Sequence, residues 1–346
     1  MSVRPAPIEL RVGDVVQIKT REEILATLAG DGTLDAMPFM PEMLAFAGRE
    51  LVVEKRAHKT CDTIAWTGLR RVDETVHLAG SRCDGSAHGG CQAACQIYWK
   101  DAWLTKVPRD GAPVVSSAAP ASASACTEAD LHAATRQPTS DGNAEVLYRC
   151  QATELLQFTH PLSSWDFRQY VHDVRSGNAT LYATIKALAW RVFRWSNGRF
   201  RGYKLQQSIF NHMQRLRGGM TNVPLAGDKV KTPRETLSLA VGERVQVKSV
   251  EEIRDTLNVE QRNRGLYFDK EMQPYCNKAY QVGARVTQII EEKTGRMMQL
   301  PGDCLILEGV ICTGRYHWNC PRASPSYWRE IWLRRATEQP QNQQPG

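Results

Sequence analysis

The sequence predicts a mixed α+β protein in which one small β-rich module is written twice around a helical segment. Three observations carry that prediction. The first is a set of residues that recur at a constant offset of 229: Val12-Gly13-Asp14 as Val241-Gly242-Glu243, Glu22-Glu23-Ile24 as Glu251-Glu252-Ile253, Glu42-Met43 as Glu271-Met272, and Tyr98-Trp99 as Tyr327-Trp328. No net insertion is needed from about Leu10 to Lys106. The second is the short alternating apolar pattern inside each copy, which reads as strand. The third is helical spacing of apolar residues between the copies.

Each module, residues 8–107 and 237–336, opens on a strand-like run, Val12 to Lys19 and Val241 to Lys248. A capping box follows, Thr20-x-x-Glu23 and Ser249-x-x-Glu252, in which each side chain satisfies a backbone N–H at the start of a short helix. Leu51–Lys55, Val76–Leu78, Gln281–Val286 and Leu305–Leu307 read as further strands. Each copy closes on an aromatic run, Tyr98 to Trp103 and Tyr327 to Trp332. Several short strands with one small helix predict two SH3-like β-barrels, each carrying an inserted Cys/His loop.

Residues 108–143 are rich in Ala, Ser and Pro. That composition buries too little to offset the entropy of ordering it, so a flexible linker is expected, with Cys126 an exposed thiol. From 144 to 233 helices are expected at Trp165–Arg175, Thr180–Trp195 and Tyr203–Leu216, the last stopped by Gly218-Gly219. The polar tail, 337–346, is expected to be disordered.

The chain has no apolar run long enough for a membrane helix and no secretory leader in Met1–Leu10. Its ten cysteines therefore suggest a cytoplasmic protein with thiols used as ligands or reactive groups. No P-loop, G-x-G-x-x-G or G-x-S-x-G is present, which removes the motif support for nucleotide hydrolysis and for serine hydrolase chemistry.

The chemistry gathers in the repeat. Cys83-x4-His88-x2-Cys91 returns as Cys312-x4-His317-x2-Cys320. Module one adds His58-x2-Cys61 and Cys95; in module two Thr287, Ile290 and Ser324 stand at those places. Thiolates and imidazoles are ligands for zinc and for iron–sulfur clusters. Cys61, Cys83, His88, Cys91, Cys95, Cys312, His317 and Cys320 are the expected ligands. His58, Cys150, Cys276 and Cys304 are further candidates. A His beside a Cys also permits a nucleophilic thiol, but thiols clustered this way favour ligation. Neither copy has the C-x2-C knuckle common in structural zinc sites.

The string Cys83-Asp84-Gly85-Ser86-Ala87-His88 resembles the CDGSH iron–sulfur proteins, differing by one extra residue before the His and by the lack of an upstream C-x-C. That resemblance implies a two-iron cluster. The set Phe39-Met40-Pro41-Glu42-Met43, Arg56 to Thr63, Arg82 to Cys95 and Tyr148 to Glu154 resembles a family of bacterial proteins that brings no activity with it.

Charge is placed unevenly. Between Asp173 and Asp228 there is no acidic residue, and that stretch holds +9 of a chain whose total is +7. Arg191, Arg194, Arg199, Arg201 and Lys204 interleave there with Trp190, Phe193, Trp195 and Phe200. Such a stretch fits a solvated helical face, or an anionic partner such as nucleic acid, a phosphorylated substrate or a lipid surface. Two function classes follow. One is an iron–sulfur or zinc protein in redox or biosynthetic chemistry; the other is a scaffold with structural zinc whose basic helices contact an anionic surface.

Overall fold

The computed structural model describes residues 9–108, 126–137, 145–186, 188–189, 208, 212 and 225–336. The chain divides into two units. Unit 1 comprises Met1–Phe193 with Gln288–Gln299 and Thr313–Ser324; unit 2 comprises Arg194–Thr287, Leu300–Cys312 and Pro325–Gly346.

Unit 1 is built on a five-stranded antiparallel sheet. Its strands run in the order Trp99–Lys100, Thr75–Leu78, Glu50–Arg56, Val15–Ile18, Leu104–Lys106. Register is set by pairs such as Val16 with Leu51, Gln17 with Thr105 and Val76 with Trp99. A three-stranded sheet, Thr159–Leu162, Leu69–Val72 and Lys59–Cys61, lies beside it in the same unit. The strand order of unit 2's sheet corresponds step by step: Pro325–Arg329, Met297–Ile311, Ala279–Ile290, Arg244–Val247, Leu333–Arg335. The short helices also keep the 229 offset, Arg21–Leu25 and Val250–Arg254, each under its predicted capping box.

The mixed class holds, in several small antiparallel sheets. The closed barrel expected for each module is not found among the described residues. In each copy the chain passes between the sheet's two edge strands through a single 3-10 turn, Asp101–Trp103 or Glu330–Trp332. The edges are thus joined by chain and not by a hydrogen-bond ladder.

Aromatic residues fill both cores alike. Trp103 and Trp332 are fully buried; Trp103 Nε1 donates to Thr27 Oγ1 at 3.1 Å and Trp332 Nε1 to Thr256 Oγ1 at 3.0 Å. Phe39 meets Trp103 edge-on at 5.0 Å, and Phe268 meets Trp332 at 5.4 Å. A Trp at these positions contributes apolar burial and satisfies its own N–H.

The expected linker is a correction in part. Within it, Glu128–Ala134 is a helix with a Thr127–Asp130 capping box, and Leu131 and Cys126 are buried in the unit 1 core. A capping box and two apolar anchors order the segment, and the average composition of the stretch conceals them. The helix expected over Trp165–Arg175 starts at Arg168 and ends at Arg175, ahead of Gly177 at φ +81°. Of Thr180–Trp195, residues 181–186 and 188–189 are helical. Of Tyr203–Leu216 only 208 and 212 are described, and 337–346 lie outside the described residues, as do Arg191, Arg194, Arg199, Arg201 and Lys204. Among the described residues no helix is long and apolar enough to cross a membrane.

Trp103→Ala and Trp332→Ala are each expected to cost about 3–5 kcal/mol, the range for deleting a buried Trp. Urea unfolding followed by circular dichroism measures it.

Candidate metal centre

The loop 82–96 positions the thiols of unit 1. Its neck is closed by Cys83 N donating to Cys95 O at 2.9 Å, by a bridge between Arg82 and Gln96, and by the Arg82 guanidinium on Ala94 O at 3.0 Å. Inside, His88 N and Gly90 N both donate to Gly85 O, at 2.9 and 3.0 Å, and Cys91 N donates to His88 O at 3.2 Å. Gly85 has φ +69°, and a Cβ there would lie 2.0 Å from Cys91 O. Gly89, at φ +63°, passes under Tyr148, whose Oη would be 2.2 Å from an added Cβ. Only glycine permits both approaches.

His88 locks this loop to the rest of the unit. Its Nδ1 lies 2.6 Å from Glu42 Oε1 and its Nε2 3.0 Å from Arg149 O. Both ring nitrogens are thereby engaged, one by a carboxylate side chain and one by a backbone carbonyl. Glu42 Oε1 also accepts from Ala87 N at 3.0 Å, while Glu42 Oε2 is buried with no partner. The ligand atoms of Glu42, Cys83 and His88 lie within 4.8 Å of one another, a group that can hold a metal ion.

Cys83, Cys91, Cys95 and Cys150 line one cavity of about 40 Å³, together with His88, Tyr98 and Arg322. That is room for roughly three waters. Cys150 reaches it because Gln151 behaves like a neighbouring strand. Gln151 Oε1 accepts from Tyr98 N at 2.9 Å, and its Nε2 donates to Tyr98 O at 2.9 Å and to Pro38 O at 3.1 Å. Burial raises these thiols: Cys83 far above its usual range, with the Glu42 carboxylate adding to it, Cys95 to about 12 and Cys150 to about 11. A metal would have to displace those protons, so its binding would release them.

Arg322 is the cation of the cavity. It is buried, donates to Glu292 Oε1 at 2.7 Å and Thr63 Oγ1 at 2.6 Å, and is held charged well above the usual range: burial opposes this, but Glu292 and nearby Tyr98 and Cys95 outweigh it.

Cys61 and His58 stand apart from the cavity lining. Cys61 N donates to Cys320 Sγ at 3.2 Å. At the offset position, Ile290 N donates to Cys91 Sγ at 3.3 Å. His58 Nε2 lies 3.2 Å from Asp173 Oδ1 without meeting hydrogen-bond geometry. The His58 ring stacks on His172 at 4.5 Å. Lys59, fully buried, donates to Asp173 Oδ2 at 2.6 Å.

The offset carries Glu42, Cys83 and His88 onto Glu271, Cys312 and His317, again a set of metal-ligand types. Glu271 and Cys312 belong to unit 2, whereas His317 and Cys320 belong to unit 1. Around Gly314 the loop repeats the turn at Gly85: His317 N and Asn319 N donate to Gly314 O at 3.0 and 2.8 Å. Cys276 and Cys304 are buried in unit 2, with the Arg329 guanidinium 3.4 Å from Cys304 Sγ.

Compared with known proteins, this chain matches no family model, no curated protein and no solved structure. The site must speak for itself.

Sequence reasoning missed Glu42, Gln151, Asp173, Glu292 and Arg322 as members of the site. Glu42 was visible as part of the repeated Glu-Met pair, and Gln151 follows Cys150 directly. Glu292 and Arg322 had no signal, since Thr63 and Ala93 stand at the matching places of module one.

His77 supplies a test of the buried architecture. Burial pushes its pKa down to about 4, with Nδ1 2.8 Å from Ile97 O. The unfolded chain takes up this proton near pH 6.5, and the folded chain refuses it until about pH 4. Stability present above pH 6.5 therefore falls as pH drops toward 4, by about 3 kcal/mol from this group. His77→Asn should flatten that part of the urea-midpoint profile; an unchanged slope would place the acid sensitivity elsewhere.

Proposed function

We propose that this chain is a metal-binding redox protein whose centre is an iron–sulfur cluster in the cavity of unit 1. Cys83, Cys91, Cys95 and Cys150 would be its ligands. The observation that carries this is four thiols lining one cavity without converging as a single-ion site. Among the described residues no three of these sulfurs form a group within 4.8 Å, the closeness that Glu42, Cys83 and His88 reach. A single ion draws its ligands to bond length. A cluster holding more than one iron would take its ligands from all four thiols. Four thiolates add negative charge, which the buried Arg322 and the N–H of Ile290 on Cys91 Sγ partly offset. Hydrogen bonds to sulfur and burial of this kind tune a cluster's potential. The cluster would supply one-electron chemistry. The chain's own residues bury it and fix the geometry of its ligands.

A mononuclear zinc site on Glu42, Cys83 and His88 is the second reading. It is favoured by their convergence, by the unpartnered Glu42 Oε2, and by the recurrence of Glu, Cys and His in module two. It requires His88 to release one of its two hydrogen bonds. The two SH3-like modules of the sequence reading keep the support of their shared strand order and offset. An anionic partner for the basic segment rests on sequence alone.

Anaerobically purified protein should be coloured and contain iron and acid-labile sulfide, and Cys150→Ser should lose most of both. Colourless protein with stoichiometric zinc, lost on Glu42→Gln and kept on Cys150→Ser, would replace the cluster with the second reading.

A further inference from the structure

Cys61 and Cys320 are the two cysteines of unit 1's repeat loops that meet each other outside the cavity lining. Cys61 lies on the strand Lys59–Cys61 and is part-exposed, while Cys320 is 6% exposed in the loop around Gly314. Cys61 N donates to Cys320 Sγ at 3.2 Å, and the Cys61 thiol itself lies 4.0 Å from His317 O. Hydrogen bonding from Cys61 is the largest influence holding Cys320 below the ordinary thiol range. Arg322, two residues on, adds positive charge close to Cys320, and Lys59, whose own pKa burial lowers, lies near both cysteines. At the offset positions Ile290 replaces Cys61, so the sulfur pair exists on one side only. The backbone N–H of Cys61 on the sulfur of Cys320 sets the two cysteines side by side, and the lowered proton affinity of Cys320 favours its thiolate.

We infer that Cys61 and Cys320 form a redox-active dithiol that exchanges with a small disulfide substrate. Cys61 is the accessible sulfur; it gives its proton to solvent and attacks first. The substrate's S–S bond breaks, one substrate thiolate leaves and is protonated, and a mixed disulfide forms on Cys61. The Cys320 thiolate then attacks the Cys61 sulfur and expels the second substrate sulfur as a thiolate, which takes a proton from solvent. Two protein thiols are oxidised, and one substrate disulfide is reduced to two thiols. The slight exposure of Cys320 limits the substrate to a small molecule. This site stands independently of the cluster, because neither sulfur lines the cavity.

Reduced full-length protein is treated with oxidised glutathione without oxygen, remaining thiols are alkylated, and peptides are mapped by mass. The expected result is loss of two of the ten thiols and a single cross-linked peptide joining Cys61 to Cys320. Cys320→Ser should stop at one glutathione on Cys61, and Cys61→Ser should form no link. Metal content should be unchanged in both variants. Alkylation of both residues in the wild-type chain with no cross-link would overturn the inference. So would loss of metal in Cys61→Ser or Cys320→Ser, which would make these residues ligands. Absence of any metal, by contrast, would remove the cluster and leave the dithiol standing.

Discussion

The buried pair of Glu42 and His88 is the constraint on which the rest of unit 1's site depends. Each side chain is about 2% exposed, and their contact is 2.6 Å. Removing one partner leaves the other a buried polar group without its hydrogen bond, at a cost of roughly 1–3 kcal/mol. The pair ties loop 82–96 to the 3-10 turn Pro41–Phe46, and the second His88 nitrogen ties it to the backbone before Cys150. Three segments distant in sequence are thereby brought round one cavity. Gly85 and Gly89 follow from the same demand, because the loop must fold tightly for His88 to reach both acceptors.

The same arrangement separates two kinds of sulfur. Cys83, Cys91, Cys95 and Cys150 face a cavity, where burial raises the thiols of Cys83, Cys95 and Cys150. Cys61 and Cys320 face each other, and their hydrogen bonds favour a thiolate. Arg322 serves both: it lines the cavity and lowers the proton affinity of Cys320. An electron-carrying centre and a dithiol would thus share one cation. The residues Arg56 to Thr63 are nearly all engaged in this frame. Arg56 holds Asp101 with two bonds of 2.7 Å, Thr60 meets Tyr98 Oη at 2.7 Å, and Asp62 accepts from Ile64 N and Ala65 N in the turn that follows.

Much of this was legible in the sequence. The 229 offset foretold matching strands, caps and closing aromatic runs, because local patterning acts within each copy. The thiols of Cys83, Cys91 and Cys95 were legible as a set because they share one loop. Cys150 was legible only as a candidate, since its place depends on Gln151 clamping Tyr98, a contact between distant segments. The departure of Cys61 toward Cys320 had no sequence signal: spacing within one copy cannot show that its partner lies in the other. The closed barrels failed for a related reason, as strand patterning does not say whether sheet edges meet.

Four cysteine sulfurs round one iron-containing centre would be visible by X-ray absorption at the iron edge of the anaerobic protein. The expected result is an iron shell made of sulfur alone, with a second shell of iron, and loss of both in Cys83→Ser. An iron-free protein, or a metal shell containing nitrogen and oxygen from His88 and Glu42, would contradict it.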